Sequence, residues 1–65
     1  MTFKQYQTEL RVRYAKQMLL DKNYSLEDIA EAVGYSDVKY FSRVFKQITG
    51  TAPGEYRKKY HVLKD

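Results

Sequence analysis

Apolar residues recur along this chain with the 3.6-residue period of a helix, and polar turns interrupt them at a few places. The first helix is predicted from Phe3 to about Leu20, with Thr2 as its N-cap. It carries two apolar lines. Val12, Ala15 and Leu19 form one, and Phe3, Tyr6, Leu10 and Tyr14 form the other. One small domain covers a single stripe. Two stripes imply a helix held between two bodies, of which only one lies in this chain.

Asp21-Lys22-Asn23-Tyr24 reads as a polar turn. Ser25 with Asp28 three residues later has capping-box spacing, and Tyr24 with Ile29 fits a hydrophobic staple. The helix that follows buries Leu26, Ile29, Ala30 and Val33. It ends at Gly34 after eight or nine residues, because glycine accepts the left-handed backbone of a C-terminal cap. Asp37 is the expected cap of a third helix, with Ser36 as the alternative. That helix stops before Gly50 and turns Phe41, Val44, Phe45 and Ile48 inward. Pro53, as a first helical residue, opens a last helix packed through Tyr56 and Tyr60. Little of the chain reads as strand. The predicted fold is all-α, a long linker helix followed by a three-helix, homeodomain-like helix-turn-helix unit. Residues 1–22 are expected to form the linker and residues 23–65 the unit.

The joint at Gly34-Tyr35-Ser36 makes the second and third helices a helix-turn-helix. At 100° per residue, the face of the third helix opposite its apolar stripe carries Lys39, Arg43 and Lys46, and no acid. Val38 and Ser42 flank it on one side, Tyr40 and Gln47 on the other. Such a face suits the major groove. Arg43 can pair with guanine O6 and N7, Lys39 can reach a guanine or a phosphate, Ser42 can donate or accept, and Val38 can pack on a thymine methyl. Lys46 lies further along and suits the phosphate backbone, while the run Arg57-Lys58-Lys59 on the last helix suits solvent or a phosphate contact equally, with Arg57 the best placed for a phosphate. A basic stripe on an arbitrary helix is more often a solvated face. Here it falls on the second helix of a helix-turn-helix, which favours DNA reading.

Charge strengthens this reading. Lys plus Arg number 12 against eight Asp plus Glu, a net charge of +4. Residues 1–33 balance to zero, so the whole excess lies in residues 34–65. Other classes lose support. The 65-residue chain has no Cys and a single His61, read as a solvated surface residue, so a disulfide or zinc staple is not expected. No apolar run nears the roughly 20 residues of a membrane span, and the N-terminus is too polar for a signal peptide. A cytoplasmic location is therefore expected. No nucleophile–base pair, paired acid or phosphate loop points to an enzyme, and no cofactor is expected. Glu27, Asp28 and Glu31 are explained by the helix start they occupy.

Taken together, Arg11-Val12 with Ala15 and Leu19-Leu20, Ser25-Leu26-Glu27-Asp28-Ile29-Ala30, Val33-Gly34-Tyr35-Ser36-Asp37, Tyr40-Phe41-Ser42-Arg43-Val44-Phe45-Lys46 and Gly50-Thr51-Ala52-Pro53-Gly54-Glu55-Tyr56-Arg57 resemble the DNA-binding domain of AraC/XylS-type bacterial transcription regulators. The resemblance covers about Thr2 to Tyr60. It implies double-stranded DNA as partner, base reading by Val38, Lys39, Ser42 and Arg43, and backbone contact near Lys46 and Arg57. The family's domain has two helix-turn-helix units on one central helix, so the resemblance also implies that this chain begins at that helix. Phe3, Tyr6 and Leu10 would then face the other unit, or pair with a second copy in its absence. The alternative is a protein-interaction module that touches RNA polymerase or self-associates through the first helix.

Overall fold

A computed structural model describes residues 2–64, and side chains through Tyr60. Four helices follow one another: α1 (Phe3–Leu19), α2 (Leu26–Ala32), α3 (Val38–Thr49) and α4 (Pro53–Lys64). The described residues contain no strand. The all-α expectation therefore holds, with α1 ending at Leu19 and α2 one or two residues shorter than expected. The side chain of His61 lies outside the described residues.

The helix starts are set locally. Thr2 Oγ1 accepts the Gln5 N–H at 3.1 Å, and Gln5 Oε1 accepts the Thr2 N–H at 3.0 Å. Ser25 and Asp28 make the same reciprocal pair, at 3.0 and 3.2 Å. Each pair satisfies two backbone donors that a helix start leaves open. Asp37, rather than Ser36, caps α3, its carboxylate accepting the Lys39 N–H at 2.9 Å.

Two of the helices, α2 and α3, end at glycine. Gly34 has φ +98°. The Tyr35 N–H donates to Ala30 O at 2.8 Å and the Gly34 N–H to Glu31 O at 3.1 Å. These two bonds form a Schellman motif, which turns the chain sharply from α2 toward α3. Gly50, with φ +83°, ends α3 through a 2.7 Å bond to Lys46 O. Beside it, the Thr49 hydroxyl donates to Phe45 O and accepts from the Thr51 N–H, which fastens the short link to α4.

One core joins the helices. Val12, Ala15 and Leu19 of α1 meet Ile29, Ala30 and Val33 from α2 and its cap, and Phe41, Val44 and Phe45 of α3. Phe41 and Phe45 are fully buried, and each contributes roughly 1.5–3 kcal/mol by leaving water. The last turns of α1 are thus as much core as α3. Ile48 departs from expectation: it is 42% exposed. The core is only two turns of α3 deep, and Ile48 lies past it, at the rim of a hollow against the first turns of α1.

Aromatic rings continue the core outward. Tyr35 packs on Phe41, Phe41 on Phe45, Phe45 edge-on against Tyr56, and Tyr56 on Tyr60 at 4.5 Å between centroids. Tyr56 therefore faces inward on α4 as its spacing predicts, whereas Tyr60 is 39% exposed and only stacks on Tyr56 from outside. Desolvation, with Tyr60 beside it, pushes the Tyr56 hydroxyl above its usual pKa.

The two capping glycines differ in what surrounds them. A Cβ at Gly50 would meet open space, whereas one at Gly34 would sit 3.2 Å from the Arg11 guanidinium carbon. Gly50→Ala is expected to cost about 1–2 kcal/mol for the left-handed backbone alone. Gly34→Ala bears the same penalty and must also displace Arg11, so its urea midpoint should fall further. Equal midpoints would mean that Arg11 yields freely.

Candidate nucleic-acid interface

The sequence of α3 dictates which of its faces stays outside. Phe41, Val44 and Phe45 are drawn into the core, so the residues half a turn away must project outward. Lys39, Arg43 and Lys46 are all exposed there. They share one strip of surface along a helix whose start is fixed by Asp37 and whose end is fixed by Gly50. Three donors on a rigid helix form a preset positive edge, because no loop has to order before they act.

The flanking positions are less free. Val38 is half-buried and packs against the core, so only part of its side chain remains on the outer surface. Ser42 is also half-buried. Tyr40, on the opposite flank, is 54% exposed and rests edge-on against Tyr35. Glu27 and Glu31 of α2 line a hollow with Val38, which puts acid on that side of α3.

Arg57 is held by the protein's own main chain. Its Nε donates to Leu19 O at 3.0 Å, and its Nη2 donates to Asp21 O at 3.2 Å and to Tyr24 O. The guanidinium thereby gathers carbonyls at the end of α1 and in the turn that follows, where a cation is also favoured by the helix dipole. It ties α4 to residues 33 to 38 positions away in sequence. No local pattern announces such a bond. The arginine is visible in the sequence, but its acceptors are main-chain oxygens, which carry no residue signature.

Arg11 was likewise legible only as a family match. It lies over the Tyr35 ring, 5.4 Å from the centroid, and against Gly34. A residue of α1 thus buttresses the turn that launches α3. Among the described residues no group of His, Cys, Asp and Glu is placed to hold a metal ion, and no helix is long and apolar enough to cross a membrane.

Both the sequence and the fold of this chain are similar to those of known proteins. A family model described as a helix-turn-helix domain matches residues 1–59. The chain belongs to the AraC-type helix-turn-helix family of transcription regulators. It is 48% identical over 59 residues to an uncharacterized transcriptional regulatory protein, YesN, of Bacillus subtilis, covering 88% of this chain and 16% of that protein. It is 44% identical over 55 residues to the porin thermoregulatory protein EnvY of Escherichia coli, covering 85% of this chain and 22% of that one. Among solved structures, a DNA-binding transcriptional dual regulator from Escherichia coli K-12 superposes with a TM-score of 0.88 at 32% identity. The match takes in 91% of this chain and 53% of that one. The chain thus spans about a fifth of these curated relatives and about half of the solved neighbour.

The bonds of Arg57 give it a measurable signature. Arg57→Gln is expected to destabilise the domain by about 2 kcal/mol, since it breaks charge-assisted bonds to three carbonyls. In the folded fraction, the salt dependence of DNA binding should not change. A stable Arg57→Gln protein whose salt slope drops by about one unit would instead make Arg57 a phosphate ligand.

Proposed function

We propose that this chain is the DNA-reading module of a bacterial, cytoplasmic transcription regulator, and that it inserts α3 into the major groove of double-stranded DNA. The observation that carries the reading is the exposed strip of Lys39, Arg43 and Lys46 on the second helix of the helix-turn-helix. In this reading Val38, Lys39, Ser42 and Arg43 face base edges. Arg43 has the leading role, because it is fully on the outer face and its planar fork can hold guanine O6 and N7 together. The half-buried Val38 offers only a methyl contact. Lys46 lies one turn nearer the exit from the groove and neutralises a phosphate. Arg57, occupied with carbonyls, acts by holding the frame rather than by touching DNA.

Two replacements separate these roles. Arg43→Ala is expected to cost about 1–3 kcal/mol on a preferred site and to flatten preference at one base position. Lys46→Ala is expected to weaken all sequences about equally and to lower the salt slope by about one unit. Titrations of matched and mismatched duplexes across a salt series decide between them. Unchanged affinity in both variants would sink the recognition-helix reading.

The outer line of α1 supports a second contact. Phe3 is 78% exposed, Tyr6 55% and Tyr14 60%, while Leu10 is half-buried. We propose that residues 1–22 form the linker of a two-unit domain and residues 23–65 one of its units, with this face turned toward the other. The partial coverage of the solved neighbour supports that architecture. Alone, the chain is expected to self-associate through this line at high concentration, and Tyr6→Glu should return it to monomer in sedimentation. A chain that stays monomeric throughout would remove the self-association reading.

A further inference from the structure

The two flanks of α3 differ in charge. On the α2 side, Glu27 and Glu31 rise beside Val38. On the other side, the first turns of α1 run alongside the turn and α3. Lys4, Gln7, Thr8 and Arg11 of α1 line an open hollow whose far wall includes Tyr35 and Tyr40. Lys4 and Thr8 also line the next hollow along, which reaches Gln47. At 100° per residue, Lys4, Thr8 and Arg11 share one edge of α1, between its core face and solvent. Lys4 and Gln7 are exposed and Thr8 and Arg11 half-buried.

We infer that this edge of α1 is a phosphate ledge. It takes the DNA strand that borders the groove on the Tyr40–Gln47 flank of α3, with Lys4 and Arg11 as cations and Gln7 and Thr8 as neutral donors. The inference rests on the proposed entry of α3 into the major groove. A helix some 10–12 Å across nearly fills a groove about 12 Å wide, so a phosphate strand passes close to each flank. Only the α1 flank is basic. Arg11 is also preorganised: its guanidinium lies over the Tyr35 ring and against Gly34, so little side-chain freedom is lost on binding. The acids nearby do not oppose the ledge equally. Asp37, on the hollow's rim, has its carboxylate engaged by the Lys39 N–H. Glu9 lines the second hollow with Lys4 and limits the ledge on that side. The acidic α2 flank disfavours close phosphate approach, which fixes how the module sits across the groove.

The test measures the salt dependence of binding by the whole chain to a mixed-sequence duplex. Each phosphate contact contributes about 0.9 to the slope of log K against log salt. Lys4→Gln should lower the slope by about one unit, and Lys4→Gln with Arg11→Gln by about two. Arg11→Lys keeps the charge and should keep the slope, which controls for lost packing on Tyr35. Arg13→Gln removes an exposed cation from the opposite edge of the same helix and should leave the slope alone. Wild-type slopes in both Lys4→Gln and the double variant overturn the ledge. So does an equal drop in Arg13→Gln, which would assign the effect to net charge. Lys39→Gln with Arg43→Gln reports on α3 separately. If that variant binds like wild type while the Lys4 and Arg11 variants lose slope, α1 binds phosphate by itself, and the groove reading falls together with the ledge's place beside α3. A wild-type chain that binds no duplex at low salt overturns both.

Discussion

The burial of Phe41 and Phe45 is the constraint on which the rest of this domain depends. A chain of this length hides only about 60% of the surface that its unfolded form exposes, so the core is small. These two rings are its largest members, and both come from α3. The helix that supplies the two largest core side chains is therefore also the one that presents Lys39, Arg43 and Lys46. Its rotation about its own axis is set by the need to bury two phenyl rings, and the outward strip follows from that rotation. Stability and the proposed recognition surface are two faces of one element and cannot be adjusted separately.

Burial fixes the rotation of α3 but leaves its tilt and its distance from neighbouring helices open. Polar joints settle those. The Schellman bonds at Gly34 set the angle between α2 and α3, and Arg11 presses on that glycine from α1. Arg57 closes the other end by gathering carbonyls from α1 and the turn beyond it. Each joint uses a guanidinium in a role its formal charge does not advertise. One packs on a ring and a bare backbone, and the other serves as a multidentate donor. A domain with no disulfide and little apolar area depends on such contacts.

The outer face of α1 shows the same economy from the opposite direction. Val12, Ala15 and Leu19 satisfy this module, while Phe3, Tyr6 and Tyr14 remain in water. This exposed apolar line is the basis for the proposed contact through α1. The matched relatives are several times longer than this chain, which accords with that face having a neighbour in a longer protein.

Local physics determined much of this protein from sequence alone. Thr2, Ser25 and Asp37 cap helices because a side-chain oxygen reaches an amide two or three residues on. Gly34 and Gly50 end helices because only glycine adopts a positive φ without penalty. The period of apolar residues identified the core face of α3, and hence the basic face behind it. Tertiary structure decided the rest. Ile48 obeys the period of the buried face yet is exposed, because periodicity gives direction and says nothing of how far the core extends. Val38 reads as a free flank but packs on the core, since its burial depends on where α2 lies. Arg57 reads as a surface cation or a phosphate contact, and only the folded chain brings it to the carbonyls of Leu19, Asp21 and Tyr24. Contacts between distant segments, made to backbone atoms that every residue shares, leave no periodic trace in the order of residues.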